Sequence, residues 1–221
     1  MEAIQEPPEY ITIGQTGSTR CVYDTAFLET IPVVRVRFVD YVREVLPNEW
    51  IASWPSASLE AGAVAAKQFA WYNAFVVQKW RRYGYHFDLL DSTCDQVYKP
   101  GTAHVSTDAA IASTWWLVLT RNGALFETGY RNWYARCPQN GNCMGQWDSK
   151  ELADAGWTSD QILLNFYSGS IVEEVGTGPV GTPPPPVCSS TDDPTHGPET
   201  NPTPVPAGNW RVYLPAVVNC S

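Results

Sequence analysis

The stretch that decides the fold is NEWIASWPSASLEAGAVAAKQFAWYNAF, residues 48–75. Ser56 follows a proline and is a favourable helix N-cap, and the residues after it recur at steps of three and four on one face of a helix predicted to run to about Arg82. The face comprises Leu59, Ala63, Ala66, Ala70, Asn73, Val77 and Trp80. Its first half also carries small residues, which add little stability by burial but let another segment approach closely. These small residues are Ala61, Gly62, Ala65 and Ala66.

An isolated acid precedes this helix. Glu49 stands between a Pro-Asn pair and Trp50, and Trp54 and Pro55 follow closely. Judged from the residues alone, the ordinary role of such an acid is a solvated carboxylate at a helix end, and the ordinary role of the two tryptophans is core packing.

Upstream of the acid, the sequence predicts a strand that passes into a helix. In PVVRVRFVDYV, residues 32–42, apolar residues alternate with Arg35 and Arg37, which is the period of a half-buried strand. FVDYVREVL, residues 38–46, then has a helical pattern that we expect to end at Pro47.

Downstream, the sequence predicts a strand with turns, a helix with a hairpin, and two short helices. The strand lies in HFDLLDSTCDQVY, residues 86–98. In residues 108–130, a helical segment precedes Asn122-Gly123, a strong hairpin signal between two apolar runs. In residues 149–169, Gly156 is expected to stop the first short helix, and Thr158 or Ser159 to cap the second.

The segments divide the chain into four parts. Residues 1–30 form a turn-rich extension, and residues 31–172 form one α+β domain with mixed helices and antiparallel hairpins. Residues 173–208 are dense in Pro, Gly, Ser and Thr, which predicts an extended, semi-rigid linker. Residues 209–221 form a short strand-like tail.

Composition excludes some classes of function. The net charge of −9, without any run of basic residues, argues against nucleic acid as a partner. No stretch reaches the roughly 20 apolar residues of a membrane span. Ten Trp and eleven Tyr lean toward carbohydrate binding, because aromatic rings form stacking surfaces for sugars. No signal peptide is visible, and the start MEAIQEPPEY is typical of a mature form.

The six cysteines indicate an oxidising compartment. Cys137 and Cys143 enclose CPQNGNC, a short loop with turn residues, and are predicted to form a local disulfide. Two free thiols in a cytosolic protein are the alternative. Cys94 is expected to pair with Cys21 or to be buried, and Cys188 and Cys220 could pin the tail back. A secreted or cell-envelope location follows from the disulfide interpretation.

Several segments, taken in order, resemble the stage II sporulation protein D family, which includes the LytB amidase enhancers (SpoIID/LytB). VDYVREVLPNEWIASWPSASLEAGAVAAKQFA, residues 39–70, is similar to the opening of that domain, including its Ser-Trp-Pro and its alanine-rich helix. DSTCDQVY, residues 91–98, resembles its Gln-Val-Tyr segment. Residues 112–130 resemble its hairpin, and residues 143–169 its closing motif. The resemblance covers about residues 31–172.

The resemblance implies a chemistry. Characterised members are lytic transglycosylases that act on the glycan strands of peptidoglycan, and the glutamate matching Glu49 is their catalytic acid/base. One carboxylate suffices, because the muramyl C6 hydroxyl of the substrate serves as nucleophile. Such an acid needs a raised pKa, which apolar aromatic neighbours provide by desolvation.

The resemblance also suggests substrate-binding residues: Trp50, Trp54, Lys67, Gln96, Tyr98, Gln146 and Trp147. For each of them a structural role is the alternative: core packing for the tryptophans and Gln146, a satisfied strand pair for Gln96 and Tyr98, and a solvated helix position for Lys67.

Two features favour a different function. Asn142 stands where the family has the histidine of a Gly-His-Gly, and the segment before it, GYRNWYARCPQNGNC, is much shorter than usual. The alternative is therefore a non-catalytic module that binds the cell wall or stimulates an amidase. A third hypothesis is a structural surface protein that reuses the fold.

No metal or cofactor is expected from the sequence. Some members of the family bind zinc through Cys and His, but Cys94, His86 and His104 have no tetrahedral ligand spacing.

Overall fold

A computed structural model describes residues 6–176 of the chain. The remainder of the expected linker, the expected strand-like tail at 209–221, and Cys188 and Cys220 lie outside the described residues. Among residues 6–176, helices are mixed with small sheets, as expected for an α+β domain.

The helix α3, Ser56–Trp71, is the centre of the domain. Twelve of its sixteen residues are buried. It packs against four other helices: α2, Phe38–Glu49; α4, Val105–Thr114; α5, Gln146–Asp154; and α6, Ser159–Phe166. The predicted helix is confirmed, but Pro55 takes the N-cap position and Ser56 is its first residue.

This central helix is shorter than its apolar pattern predicts. Regular α-helix ends at Trp71, continues as one π-helical turn, Tyr72–Val76, and gives way to a 3-10 turn at Arg81–Tyr83. The side chain of Asn73 donates to the carbonyl of Phe69, so a polar group binds the backbone where the helix widens.

The small residues of α3 permit close packing by a large one. A Cβ atom on Gly62 would lie 2.6 Å from atoms Cδ2 and Cε2 of Trp50, far inside van der Waals contact. Trp50 therefore lies directly on the backbone of α3. The indole ring packs on the face of α3 that carries the small residues.

A three-stranded sheet lies beside α2. Strand β1, Tyr10–Gly14, is central; it pairs antiparallel with β2, Val33–Arg37, and parallel with β3, Leu89–Leu90. The predicted strand β2 is confirmed, but β1 lies in the stretch expected to be turn-rich. Its Ile11 and Ile13 are buried in the core. A short helix α1, Thr25–Leu28, joins β1 to β2 and is capped by the side chain of Asp24.

Helix α2 does not end at Pro47 as predicted. It continues to Glu49, with Pro47 in its last turn, and Trp50 is its extended C-cap. Proline in this position removes one backbone donor but leaves the final hydrogen bond, from Trp50 N to Leu46 O at 2.7 Å, in place. The added turn carries Glu49 to the helix terminus.

The predicted hairpin forms a second sheet. Strands β4, Leu117–Arg121, and β5, Ala124–Leu125, are joined by Asn122 and Gly123, both with positive φ. The other edge of β4 pairs antiparallel with β8, Ile171–Glu174.

A two-stranded parallel pair completes the described part of the chain. Strand β6, Gly129–Arg131, pairs with β7, Cys143–Gly145, and a loop with a 3-10 turn at Tyr134–Arg136 connects them. The pairing of β6 with β7 and the pairing of β1 with β3 are both parallel, so antiparallel hairpins do not account for all of the sheet structure. Beyond β7, α5 and α6 confirm the two predicted short helices, and Thr158 caps α6 in a capping box with Gln161.

Residues 6–176 contain two disulfides. Cys137–Cys143 closes the loop between β6 and β7, as predicted, and Cys21–Cys94 ties the segment after β1 to the segment after β3. Disulfides are compatible with an extracellular location. Within residues 6–176, the helices are too short or too polar to cross a membrane.

Candidate active site

Glu49 ends α2, and its side chain is partly exposed. A helix C-terminus carries partial negative charge and disfavours a carboxylate. Trp50 turns away in extended conformation, so the acid and the indole leave the helix end in different directions. The local fold thus presents a single carboxyl group at an unfavourable place for its charge.

The two oxygens of Glu49 have different partners. Oε1 accepts a hydrogen bond from the backbone N–H of Val97 at 2.7 Å. Oε2 lies 3.4 Å from Nε2 of Gln146, which donates its shorter hydrogen bond, 2.7 Å, to the backbone oxygen of Glu49. One oxygen is therefore held by the backbone, and the other has only a long contact.

Burial raises the pKa of Glu49 to about 7, because desolvation outweighs the hydrogen bonds from Val97 and Gln146 and the charge of Arg131, all of which lower it. At neutral pH the group is thus present in both protonated and ionised forms. That is the condition under which one carboxyl can act as acid and then as base.

A buried polar network lies beside the acid. Gln96 is fully buried; it donates to the carbonyl of Ala66 at 3.0 Å and to the hydroxyl of Tyr130 at 2.8 Å, and it accepts from the hydroxyl of Tyr41 at 3.1 Å. Desolvation, together with the nearby acids, raises the pKa of both tyrosines well above the usual value, so the phenols stay neutral. The network fixes the segment that ends in Val97, the donor to Glu49.

Three of the expected substrate-binding residues have no surface with which to contact a glycan. Trp50 is 0% exposed, packs edge-on against Tyr130, and donates its indole N–H to Ser149 at 3.3 Å. Gln96 belongs to the buried network, and Lys67 is 1% exposed. Each of the three therefore has contacts within the protein, and a part in substrate binding stays a prediction.

Lys67 is a buried cation. Its Nζ donates to the carbonyl oxygens of Thr114 at 3.0 Å, Leu117 at 2.7 Å, and Trp115. These carbonyls follow the C-terminal end of α4, where the helix dipole favours a positive charge. Burial nevertheless lowers the pKa of Lys67 to about 7. Lys67 thus links α3 to the C-terminal end of α4 by hydrogen bonds.

The remaining expected residues lie nearer the surface. Tyr98 is largely buried and stacks on Tyr41, with ring centroids 5.3 Å apart. Trp54 is also largely buried, and its ring centroid lies 4.7 Å from that of Trp147, which is exposed. Gln146 joins this aromatic contact to Glu49, since it precedes Trp147 and binds the acid.

Asn142, which the predicted resemblance aligns with the family's histidine, anchors a loop. Its side-chain oxygen accepts from the guanidinium of Arg121, which also donates to the carbonyls of Gly141 and Ser168. The residue ties the disulfide loop to the hairpin and to the end of α6. Its side chain is therefore already engaged within the protein.

The residues present do not fit a zinc centre. Cys21, Cys94, Cys137 and Cys143 are oxidised to disulfides, and the ring of His104 bonds Ser106 at the N-cap of α4. Within the described residues 6–176, no group of three or more His, Cys, Asp or Glu is arranged to hold a metal ion.

Sequence reasoning missed four groups of the site. The backbone N–H of Val97 has no sequence signal, and the roles of Tyr41 and Tyr130 depend on contacts between distant segments. Trp133 also lies here, stacked on Trp147 at 5.7 Å. The only available signal for Trp133 was the recurrence of aromatic residues around the short loop.

Comparison with known families supports the predicted resemblance. Residues 29–120 match the family model SpoIID, Stage II sporulation protein. The match includes α2, α3 and the segment of Gln96, and it is consistent with a cell-wall-related function in sporulation. The closing motif at 143–169 lies beyond the matched range. No curated protein matches the chain.

Proposed function

We propose that this SpoIID-type domain cleaves the glycan strands of peptidoglycan as a lytic transglycosylase, with Glu49 as its single general acid/base. The observation that carries the proposal is the environment of Glu49. The residue is half-buried, one oxygen is fixed by Val97, and burial brings its pKa to about 7.

The first step uses the protonated acid. The N–H of Val97 holds Oε1, so the proton belongs on Oε2, the oxygen with only a long contact to Gln146. Oε2–H donates its proton to the glycosidic oxygen as the bond to the anomeric carbon breaks. The leaving sugar departs as an alcohol, and positive charge develops at the anomeric carbon beside the new carboxylate.

The second step uses the same oxygen as base. The carboxylate removes the proton of the muramyl C6 hydroxyl, and that oxygen attacks the anomeric carbon to close the 1,6-anhydro ring. Glu49 is protonated again, so the cycle balances without water as a reactant. A second carboxylate is not required.

The test compares the protein with its Glu49→Gln variant on purified glycan strands, with anhydro-muramyl products detected by mass spectrometry. We expect product formation to fall by about a hundredfold or more, because an amide can neither donate nor accept the proton as the acid does. Glu151→Gln, on the exposed face of α5, is the matched control and should cleave as the parent does. Equal products from the parent and Glu49→Gln would refute the role of Glu49.

A non-catalytic module that binds the wall or enhances an amidase is the second candidate. The side chain of Asn142 favours it, because an amide cannot transfer a proton as a histidine can and its oxygen already accepts a hydrogen bond from Arg121. Retained binding to sacculi by a parent protein that yields no products would support this function and exclude the first.

A further inference from the structure

The parallel pair β6–β7 brings two tryptophans of distant sequence together. Arg131 pairs with Gly145, and the backbone contact continues one step further, where Trp147 N donates to Asn132 O at 3.0 Å. The next residue after Asn132 is Trp133. Its ring stacks on that of Trp147, with centroids 5.7 Å apart and planes 16° from parallel.

Both residues are partly exposed to solvent. Trp133 is 39% exposed and Trp147 is 36% exposed, although core tryptophans such as Trp50 are fully covered. Two adjacent indoles exposed together form an apolar surface, and such surfaces on soluble proteins commonly mark binding sites. The rings are also flat, which favours a flat apolar ligand face.

A rigid loop holds this aromatic pair. The carboxylate of Asp148 accepts from Tyr134 N at 2.7 Å, and a Cβ on Gly145 would lie 2.1 Å from that carboxylate and 2.5 Å from that nitrogen. The disulfide Cys137–Cys143 closes the same loop. A preformed surface loses less conformational entropy on binding than a mobile one.

The pair is continuous with the candidate active site. Gln146, next to Trp147, donates to the backbone oxygen of Glu49, and Trp54 contacts the ring of Trp147. A polymer whose cleaved bond lies at Glu49 therefore has its neighbouring units near these rings.

We infer that Trp133 and Trp147 form a stacking subsite for a pyranose ring of the glycan strand, next to the unit cleaved at Glu49. The inference rests on the proposed function for the identity of the ligand. A pyranose presents an apolar face of C–H groups to the indoles and polar hydroxyls at its rim. The amide of Asn132 and the carboxyl of Glu49 lie on the segments adjoining the rings and suit the polar hydroxyl and amide groups of such a chain.

The test measures binding apart from cleavage. In the Glu49→Gln background, peptide-free glycan strands are titrated by calorimetry into proteins that carry Trp133→Ala, Trp133→Phe or Trp157→Ala. Trp157 is the matched control, because it is 38% exposed and lies on the α5–α6 connection. Circular dichroism verifies the fold of each variant.

We expect Trp133→Ala to raise Kd about tenfold, Trp133→Phe to retain most of the affinity, and Trp157→Ala to bind as the parent does. Equal Kd values for Trp133→Ala and Trp157→Ala, or no binding by any protein, would overturn the subsite. If binding depends on Trp133 but the protein with native Glu49 makes no anhydro products, the subsite is supported and the proposed cleavage activity is refuted. If the protein with native Glu49 cleaves equally well with and without Trp133→Ala, the activity is supported and the subsite is refuted.

Discussion

Two regions of the domain, the C-terminus of α2 and the middle of α3, each hold an ionisable group shielded from water, and the two groups differ in access. Burial brings the pKa of both Glu49 and Lys67 to about 7. Lys67 is enclosed and uses its donors on three carbonyls, whereas Glu49 is partly exposed and has an oxygen with only a long contact. A shifted pKa alone therefore does not mark a reactive group; access and an unused lone pair distinguish the acid from the lysine.

The largest expected effect concerns the enclosed side. Lys67→Met removes the donor to three carbonyls, and we expect the free energy of unfolding to fall by about 3 kcal/mol, since unpaired buried polar groups are costly. Urea denaturation measures this. Lys150→Met is the control, because Lys150 makes a surface pair with Asp154 and should change stability by under about 0.5 kcal/mol. If Lys67→Met lowered stability as little as Lys150→Met, the buried hydrogen bonds of Lys67 would contribute no more to the free energy of unfolding than the surface pair of Lys150.

The next effect is the pH dependence of stability. The folded pKa of Glu49 is raised from 4.5 to about 7, so the folded state binds more protons and stability falls as pH rises through that window. The folded pKa of Lys67 is lowered from 10.5 to about 7, so the unfolded state binds more protons and stability rises above pH 7. Together the two groups contribute a minimum of stability near neutrality.

Denaturation curves between pH 4.5 and 10 check the two windows separately. Glu49→Gln should reduce the change in the free energy of unfolding between pH 4.5 and 7 by about 1–2 kcal/mol. Lys67→Met should reduce only the change above pH 7. A slope below pH 7 that survives Glu49→Gln would mean that another group causes it.

The last expected effect is the pH dependence of cleavage. The first step needs protonated Glu49, so the rate should fall about tenfold per pH unit once pH exceeds about 7. Initial rates of anhydro-product formation at pH 5 to 9 measure it, at pH values where circular dichroism shows the folded protein. A rate that rises steadily to pH 9 would exclude protonated Glu49 as the acid.

Local signals predicted much of this fold. Helix α3, the hairpin at Asn122-Gly123 and the capped helices α5 and α6 each depend on residues within a few positions. Strand β1 was missed because its partners are β2 and β3, the latter some 75 residues away, and only that pairing explains why Ile11 and Ile13 are buried. The pairing of β6 with β7 was missed because each strand has only three residues and the pair is parallel, so no hairpin turn marks it.

Within the candidate site, the sequence located residues but not their exposure. The acid and its motif were found through resemblance, and Gln146 was among the expected neighbours. Whether Trp50 or Trp133 faces solvent depends on what packs over each: Trp50 lies on Gly62, whereas Trp133 is held outward by the β6–β7 loop. Burial of this kind follows from tertiary contacts, which periodicity does not encode.

The disulfide between Cys21 and Cys94 would hold the chain together after a protease cuts it between these residues. It spans 73 residues of sequence, a span that includes α2, Glu49 and α3, and also the exposed segment at Arg81, Arg82 and Tyr83. A cut after Arg82 would leave the two fragments covalently joined, so the fragment with Glu49 stays linked to the fragment that carries Val97. A nicked molecule would therefore migrate as one species until a reductant separates it.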